Sequence, residues 1–594
     1  MSVPTVKLKC IKQSLFKLAT DKTFTKINDT VLRVNKIVVD VYNFIKLYVL
    51  YTYENKNDIP KIDQTFILTV FKTVTNNSNK TGRKTTKNIT LLNDLNTFYD
   101  NHFKQLSTGK LDSKNLSHLM VYLSIDILTN IKNNIILNFS KYLKNILRLL
   151  YGKINMSLTG KELNKALNKI LYKNPKTINY IKYKNTLPYM FFDYVKSFYM
   201  PIKKSKTLME DIKNHPFNYL PYMIKINREI EEYNSKLTDD NKNKLQKLYQ
   251  ILPLRTNITP KYIPIDTTII CDLLIDTGIS DYYKGKTNKD ISDIWGLCFP
   301  GLYSKKNKHL LKNKKYKFNN LIYTDGIAVS IIQISNNINT KKEKYIAKKQ
   351  KKPKNEFTYI DDLKDDDLEN LNNYEHIGVD PGKRNIVHMI NSNGKKLRYT
   401  ALQRRHECLH KKNKNKIKEL KTEDIIKKET EISKVNSKSS FVKSFSEYVL
   451  VKNKINSELF DFYKNKIFRK LKWKSYIQTQ KSEITFVNKI RKTFESVGKK
   501  ICLMYGNWSQ TKQQANYFPT PGIGFKKMLS KHFKIVTIDE FKTSKLCHNC
   551  EYETENPISR KNPRPYKNDI RKVHSLLHCK NGNCNKLWYF MKFL

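Results

Sequence analysis

Four cysteines near the end of the chain stand in two close pairs. Cys547 and Cys550 form C-x2-C, and after a 28-residue insert Cys579 and Cys584 form C-x4-C. Four thiolates so arranged suit tetrahedral, structural Zn2+, as in a zinc ribbon. The insert is rich in Lys, Arg, Asn and Pro and has no hydrophobic pattern to hold it without metal. A full set of four ligands leaves no open position for catalysis. His548, His574 and His578 are nearby as substitute ligands. A second constellation is a pair of carboxylates. Asp380 closes the run H-I-G-V-D before Pro381-Gly382, and Glu540 closes K-I-V-T-I-D-E. If their strands are neighbours, two hard oxygen ligands meet at one end of a sheet, which suits Mg2+. Two such ions stabilise the attacking and leaving oxygens of phosphodiester cleavage. Asp539 is the adjacent alternative, but strand alternation puts it on the other face. Each acid alone also reads as an ordinary turn or strand-end residue.

The elements that must position these groups follow from the local pattern. Pro381 and Gly382 force a turn. Runs at Ile386–Ile390 and Lys395–Ala401, separated by Asn391-Ser392-Asn393-Gly394, extend the Asp380 strand into an antiparallel meander. A buried strand ended by glycine covers Lys500–Gly506, a helix covers about Gly524–His532, and a strand covers Lys534–Glu540. Together these outline a ribonuclease H-like domain. Upstream, Phe318–Gly326 and Ile327–Ser335 read as a hairpin with Asp325-Gly326 in its turn, so Asp325 is a turn residue before it is a catalytic acid. Thr5–Ile11 alternates like a strand. From Asp29 to about Leu248 the pattern is helical, clearest where Leu128, Ile131, Ile135, Phe139, Leu143, Ile146 and Leu150 recur three or four apart, a core stripe.

The chain has 594 residues and a net charge of +58. Several domains are expected, and so basic a chain calls for a polyanion, usually nucleic acid. Residues 402 to 498 read as long basic helices. Phe460, Tyr463, Ile467 and Leu471 share one face, ringed by Arg469, Lys472 and other cations. That is either a nucleic-acid groove or a solvated basic face. Ile37–Tyr51 is the most apolar early stretch, but Asp40 and Lys46 make it a buried helix rather than a membrane span. No signal peptide is visible. Lys348–Lys354 has the composition of a nuclear localisation signal.

The D-P-G-x-R-N start at Asp380, the I-D-E-F-x-T-S-K-x-C-x-x-C block and the later cysteine pair resemble the RuvC nuclease of TnpB proteins and their eukaryotic and viral relatives, the Fanzor proteins. The Y-T-D-G hairpin, Trp508–Gln510 and Pro519–Gly522 are similar to Fanzor as well. The likeness runs over residues 318–588; in the helical N-terminal half only the layout matches. It implies a transposon-encoded, RNA-guided DNA endonuclease, traditionally labelled a transposase. Asp380 and Glu540 match its first two RuvC acids. The family places a third acid, in a motif like W-N-R-D-x-N-A, just after the zinc ribbon. Here Trp588 is followed by Y-F-M-K-F-L, and no Asp or Glu follows Asp569. The expectation is a truncated RuvC end and weakened cleavage.

The expected chain is therefore multidomain α+β. Residues 1–30 would give the N-terminal strand of a wedge domain, 31–255 a helical recognition domain, and 256–340 the β-rich wedge. Residues 341–373 would be a charged linker, 374–540 the RuvC domain with inserted basic helices, 541–588 the zinc-ribbon module, and 589–594 the truncated end. Expected cofactors are structural Zn2+ on Cys547, Cys550, Cys579 and Cys584, and Mg2+ on Asp380 and Glu540. Expected partners are a guide RNA and double-stranded DNA, contacted by Lys383, Arg384, Arg469, Lys472, Lys542 and Lys545. No membrane or small-molecule substrate is expected, and the location would be nucleus or cytoplasm of a host cell. Rival readings are a catalytically inactive guided binder that represses its element, and a true DNA transposase.

Overall fold

A computed structural model describes residues 8–56, 58–76, 89–153, 160–172, 206–239, 245–255, 259–274, 291–313, 315–335, 357–496, 498–507, 521–540, 545–547, 550–555, 559–562, 570–572, 576–584 and 587–589. The protein is mixed α and β with several small sheets. It divides into two units. One comprises Met1–Thr340 with Lys421–Lys470, and the other Lys341–Leu420 with Leu471–Leu594.

In the first unit, β1 (Leu8–Ser14), β2 (Ile263–Asp266), β3 (Tyr316–Thr324) and β4 (Ala328–Ser335) form an antiparallel sheet in the order β1-β4-β3-β2. The helices α1 (Asp21–Lys56), α2 (Gln64–Val74), α3 (Ser117–Lys153) and α4 (Leu220–Ser235) share one hydrophobic core with it. Asp63 starts α2 by accepting the Phe66 N–H at 2.8 Å, the N-cap bond that satisfies an orphan donor. On α3 the expected stripe is core: Ile131, Ile135, Phe139, Leu143 and Ile146 are buried, with Leu128 and Leu150 packed against them. The first long helix begins at Asp21, inside the stretch assigned above to strand. The later helices α5 (Glu423–Ser433) and α6 (Val442–Tyr463) also belong to this unit, and Phe445, Tyr448 and Val449 join its core. Both helices thus group with the first unit, although the sequence placed them among the helices inserted in the 374–540 domain.

The Asp-Gly turn between β3 and β4 is real. Asp325 Oδ1 accepts the N–H groups of Ile327 (3.0 Å) and Ala328 (2.9 Å), so its acid serves the turn. Gly326 has φ +85°, and a Cβ there would meet Arg469 Nη1 at 2.6 Å and Asn28 Oδ1 at 2.8 Å. Arg469 is fully buried. Its guanidinium donates to Asn28 Oδ1 (2.9 Å), Asp325 O (2.6 Å) and Lys464 O (3.0 Å). This corrects the sequence reading of Arg469 as a nucleic-acid contact. Its neighbours do not share one helix face either, because α6 stops at Tyr463 and α7 (Lys466–Phe494) starts afresh. Within α1, Asp40 and Lys46 are buried as expected. Lys46 Nζ donates to Ser437 O at 2.9 Å and lies 4.2 Å from the centre of the Phe445 ring. Burial pulls this amine down to about 7 and pushes Asp40 up to about 7. Among the described residues no helix is long and apolar enough to cross a membrane.

In the second unit β5 (Tyr374–Pro381), β6 (Asn385–Asn391) and β7 (Lys396–Thr400) form the expected antiparallel meander. β8 (Lys500–Gly506) and β9 (Lys534–Ile538) add parallel to β5, giving the order β9-β8-β5-β6-β7. One face is covered by the later turns of α7 and by α8 (Ile523–Leu529), where Phe486 and Phe525 stack on Tyr399 at 4.6 and 5.4 Å. The other face is covered by Ile360, Leu363 and Leu371, which pack around Cys502 and Val536. Residues 357–373 are thus short helices docked on this sheet rather than linker. The basic run Lys348–Lys354 lies outside the described residues.

Replacing Arg469→Met would leave the Asp325 and Lys464 carbonyls facing an apolar chain. A destabilisation on the order of 3 kcal/mol is expected, read as a lower Tm by calorimetry.

Candidate carboxylate pair and four-cysteine centre

The carboxylate pair is set by register. In the parallel ladder Leu503 lies beside Ile377 and Tyr505 beside Val379, all on the face covered by α7 and α8. Alternation then turns Asp380 and Gly506 to the opposite face, adjacent to one another one register step further along. On the far side of β8, Gly506 pairs with Ile538. Glu540 lies two residues beyond the end of β9, and a Cβ built on Gly506 would fall 1.7 Å from its Oε1. The condition set from the sequence, that the strands of the two acids be neighbours, is not met; β8 lies between them. The acids come to the same end and face because that middle strand ends in a residue with no side chain.

Asn507 holds the approach. Its N–H donates to Ile538 O (2.9 Å), its Nδ2 donates to Asp539 Oδ1 (2.8 Å), and its Oδ1 accepts the Glu540 N–H (3.3 Å). Asp539 is exposed and tied to Asn507, in line with its expected exclusion from the pair. Burial pushes the Asp380 carboxyl up to about 6, so this site favours a neutral group or a bound cation over a bare carboxylate. Burial, then Glu540 and Asp380, hold the Tyr505 phenol above its ordinary range, so both charges act on one ring. His388 is paired with Asp380 across β5 and β6, and burial and the charges of Lys396 and Arg398 keep its imidazole neutral at lower pH than usual. Lys526 sits behind Tyr505, its Nζ 4.9 Å from the ring centre and donating to Thr537 Oγ1 at 2.8 Å; burial pulls it down to about 8. Sequence reading missed Gly506, Asn507, His388 and Lys526. Only the glycine carried a local signal, as the end of a buried strand.

The four cysteines meet. Cys547, Cys550, Cys579 and Cys584 place their sulfurs within 4.8 Å of one another. The separation is 3.8 Å for Cys547–Cys584 and 3.4 Å for Cys550–Cys579. Four sulfurs each about 2.3 Å from a tetrahedral centre lie about 3.8 Å apart, whereas a disulfide needs about 2.05 Å. Two tight turns make the first knuckle: Glu551 N–H donates to Cys547 O and Cys547 N–H to Tyr552 O, each at 2.7 Å. The second is closed by Cys584 N–H to Asn581 O at 3.0 Å. The strands β10 (Thr554–Glu555), β11 (Leu576–Cys579) and β12 (Leu587–Tyr589) join them, Thr554 opposite Cys579. This four-cysteine cluster can hold a metal ion such as zinc. His578 is not part of it, and His548 and His574 lie outside the described residues.

Residues 263–335 match a family model described as a domain of unknown function (DUF8286). A search of curated proteins found no match to the chain. The matched stretch spans β2 to β4 and contains neither the carboxylate pair nor the cysteines.

The cation candidates separate by exposure. Arg384, Lys472 and Lys545 are exposed, Lys383 is half-buried, and Lys542 lies outside the described residues, as do Trp508–Gln510 and Pro519–Thr520.

Two outcomes are expected. Gly506→Ala should push Glu540 aside at little cost in Tm, since the clash is with the flexible end of a side chain. It should weaken Mg2+ or Mn2+ binding by about 10–100-fold in calorimetric titration; unchanged affinity would detach Glu540 from cation binding. Cys579→Ser should lower metal content, by elemental analysis, from about one equivalent and expose the segment after Cys550 to protease. Full metal retention would mean that another residue supplies the ligand.

Proposed function

We propose that the chain is a nucleic-acid-binding protein of the TnpB/Fanzor type, in which a RuvC-like sheet directs an RNA-guided cut in double-stranded DNA. The observation that supports this best is the pairing of Asp380 with Glu540 on one face at one end of the five-stranded sheet, with the four-cysteine module directly after Glu540. Asp380 and Glu540 would hold Mg2+, which when bound neutralises charge on the phosphate oxygens of the scissile bond. Asn507 would fix the main chain of Glu540, and the half-buried position of Asp380 would limit the bulk water that competes for the cation. The four-cysteine centre would hold Zn2+ and order a basic insert that otherwise has too few apolar residues to fold. The net charge of +58 would favour the phosphate backbones of guide and target.

The rival reading is a guided binder that does not cut. It is favoured by one observation: among the described residues no third carboxylate joins Asp380 and Glu540 in a metal-sized group. A transposase that joins strands without a guide has no comparable support.

The test is cleavage by protein purified with its co-expressed flanking RNA, on matched duplex DNA with Mg2+. Cutting that falls by at least about 10²-fold in Asp380→Ala is the expected result. RNA-dependent DNA retention without cutting would establish the binder instead, and loss of both RNA and DNA binding would sink the family-level reading.

A further inference from the structure

The opposite end of the same sheet carries a feature that neither carboxylate explains. The parallel strands β5, β8 and β9 begin at Tyr374, Lys500 and Lys534. Around these starts lies a cavity of about 300 Å³, closed on one side by the last turns of α7 and on another by His532-Phe533. Four cations line it, Arg491, Lys499, Lys500 and Lys534, against one carboxylate, Glu495. Among the described residues none of the four is in an ion pair. Two rings complete the wall. Lys534 Nζ lies 4.8 Å from the centre of Tyr374, and the Arg491 guanidinium carbon lies 5.8 Å from the centre of Phe533.

Like charges gathered in one cavity repel, and in a chain with 111 Lys and Arg against 53 Asp and Glu a single acid, Glu495, faces the four cations. A cavity that gathers cations around flat rings has the complementarity of a nucleotide: phosphate to the cations, base to a ring face. Its size is at the lower end for small organic ligands, enough for one nucleotide unit. The geometry points to a second nucleic-acid site here, one that takes a phosphate and its base from a single strand. β8 has seven residues, so the site is about 20 Å from the carboxylate end. A strand held here is gripped away from Asp380 and Glu540. The inference needs no cleavage and no guide RNA, and so stands apart from the nuclease reading.

The test uses the full chain, without divalent cation, and a single-stranded oligonucleotide of about 15 residues substituted with 5-bromodeoxyuridine. After irradiation the cross-linked peptides are mapped by mass spectrometry. The expected result is label on the peptides that hold Tyr374 or Phe533, lost in Arg491→Ala/Lys499→Ala/Lys500→Ala. The salt slope of binding should then fall by about 0.7 for each phosphate contact removed. All three substituted side chains are exposed, so the variant should keep the wild-type Tm. If its Tm falls, Lys500→Glu alone serves, with the same loss of label. Label spread over other basic surfaces and missing here would overturn the inference. Equal protection by AMP at the same phosphate concentration would overturn the assignment to a strand in favour of a free nucleotide. Asp380→Ala should keep the label; its loss of cutting alone would bear on the nuclease reading and leave this one intact.

Discussion

The carboxylate site depends on the absence of one side chain. Parallel strands place equivalent residues side by side, and the last residue of β8 stands between the positions from which Asp380 and Glu540 approach. Any Cβ at Gly506 would occupy the space taken by the Glu540 carboxylate. The glycine therefore does work usually assigned to the acids: it sets how close they come. Asn507, next in the chain, uses its main-chain N–H and both side-chain polar atoms to tie the end of β8 to the segment after β9. Side-chain alternation then sends Asp539 outward and Glu540 inward. The arrangement rests on the two acids, a glycine and an amide, all near strand ends, where the backbone is held by its neighbours.

What could be read from the sequence was what is local. The C-x2-C and C-x4-C spacings were legible because tight turns bring such pairs together whatever surrounds them. The Asp325-Gly326 hairpin and the meander after Asp380 were legible for the same reason. The α3 stripe was legible because a 3.6-residue period needs no partner to be seen. The insertion of β8 between β5 and β9 was not legible, since parallel neighbours leave no mark on each other's sequence. Arg469 was misread because a buried arginine in a lysine-rich stretch looks like its exposed neighbours; only the carbonyls it meets tell it apart. The packing of Lys421–Lys470 with the first unit was missed for a related reason, its contacts lying hundreds of residues away.

A common solution runs through the first unit. With acids outnumbered, buried cations are met mainly by main-chain carbonyls. Arg469 donates to Asp325 and Lys464, Lys46 to Ser437 and Lys452 to Arg255. A carbonyl dipole satisfies a donor without using one of the few carboxylates, and its position is fixed by the backbone. Burial still costs these groups, and Lys46 and Lys452 are pulled down to about 7 and about 8. The arrangement ties segments remote in sequence into one core.

That core has a history as well as a geometry. Lys46 and the carbonyl it donates to are 391 residues apart, and Arg469 and Asn28 are 441 apart. At ribosomal rates of 5–20 residues per second, the partner of Lys46 emerges roughly 20–80 s after it. Throughout that interval α1 carries a lysine whose final acceptor has yet to be synthesised, and the apolar surface that Phe445, Tyr448 and Val449 will cover stays open. Meanwhile the first strands of the second unit leave the ribosome before the first unit can close. Slower synthesis would lengthen that exposure of apolar surface rather than help the core close.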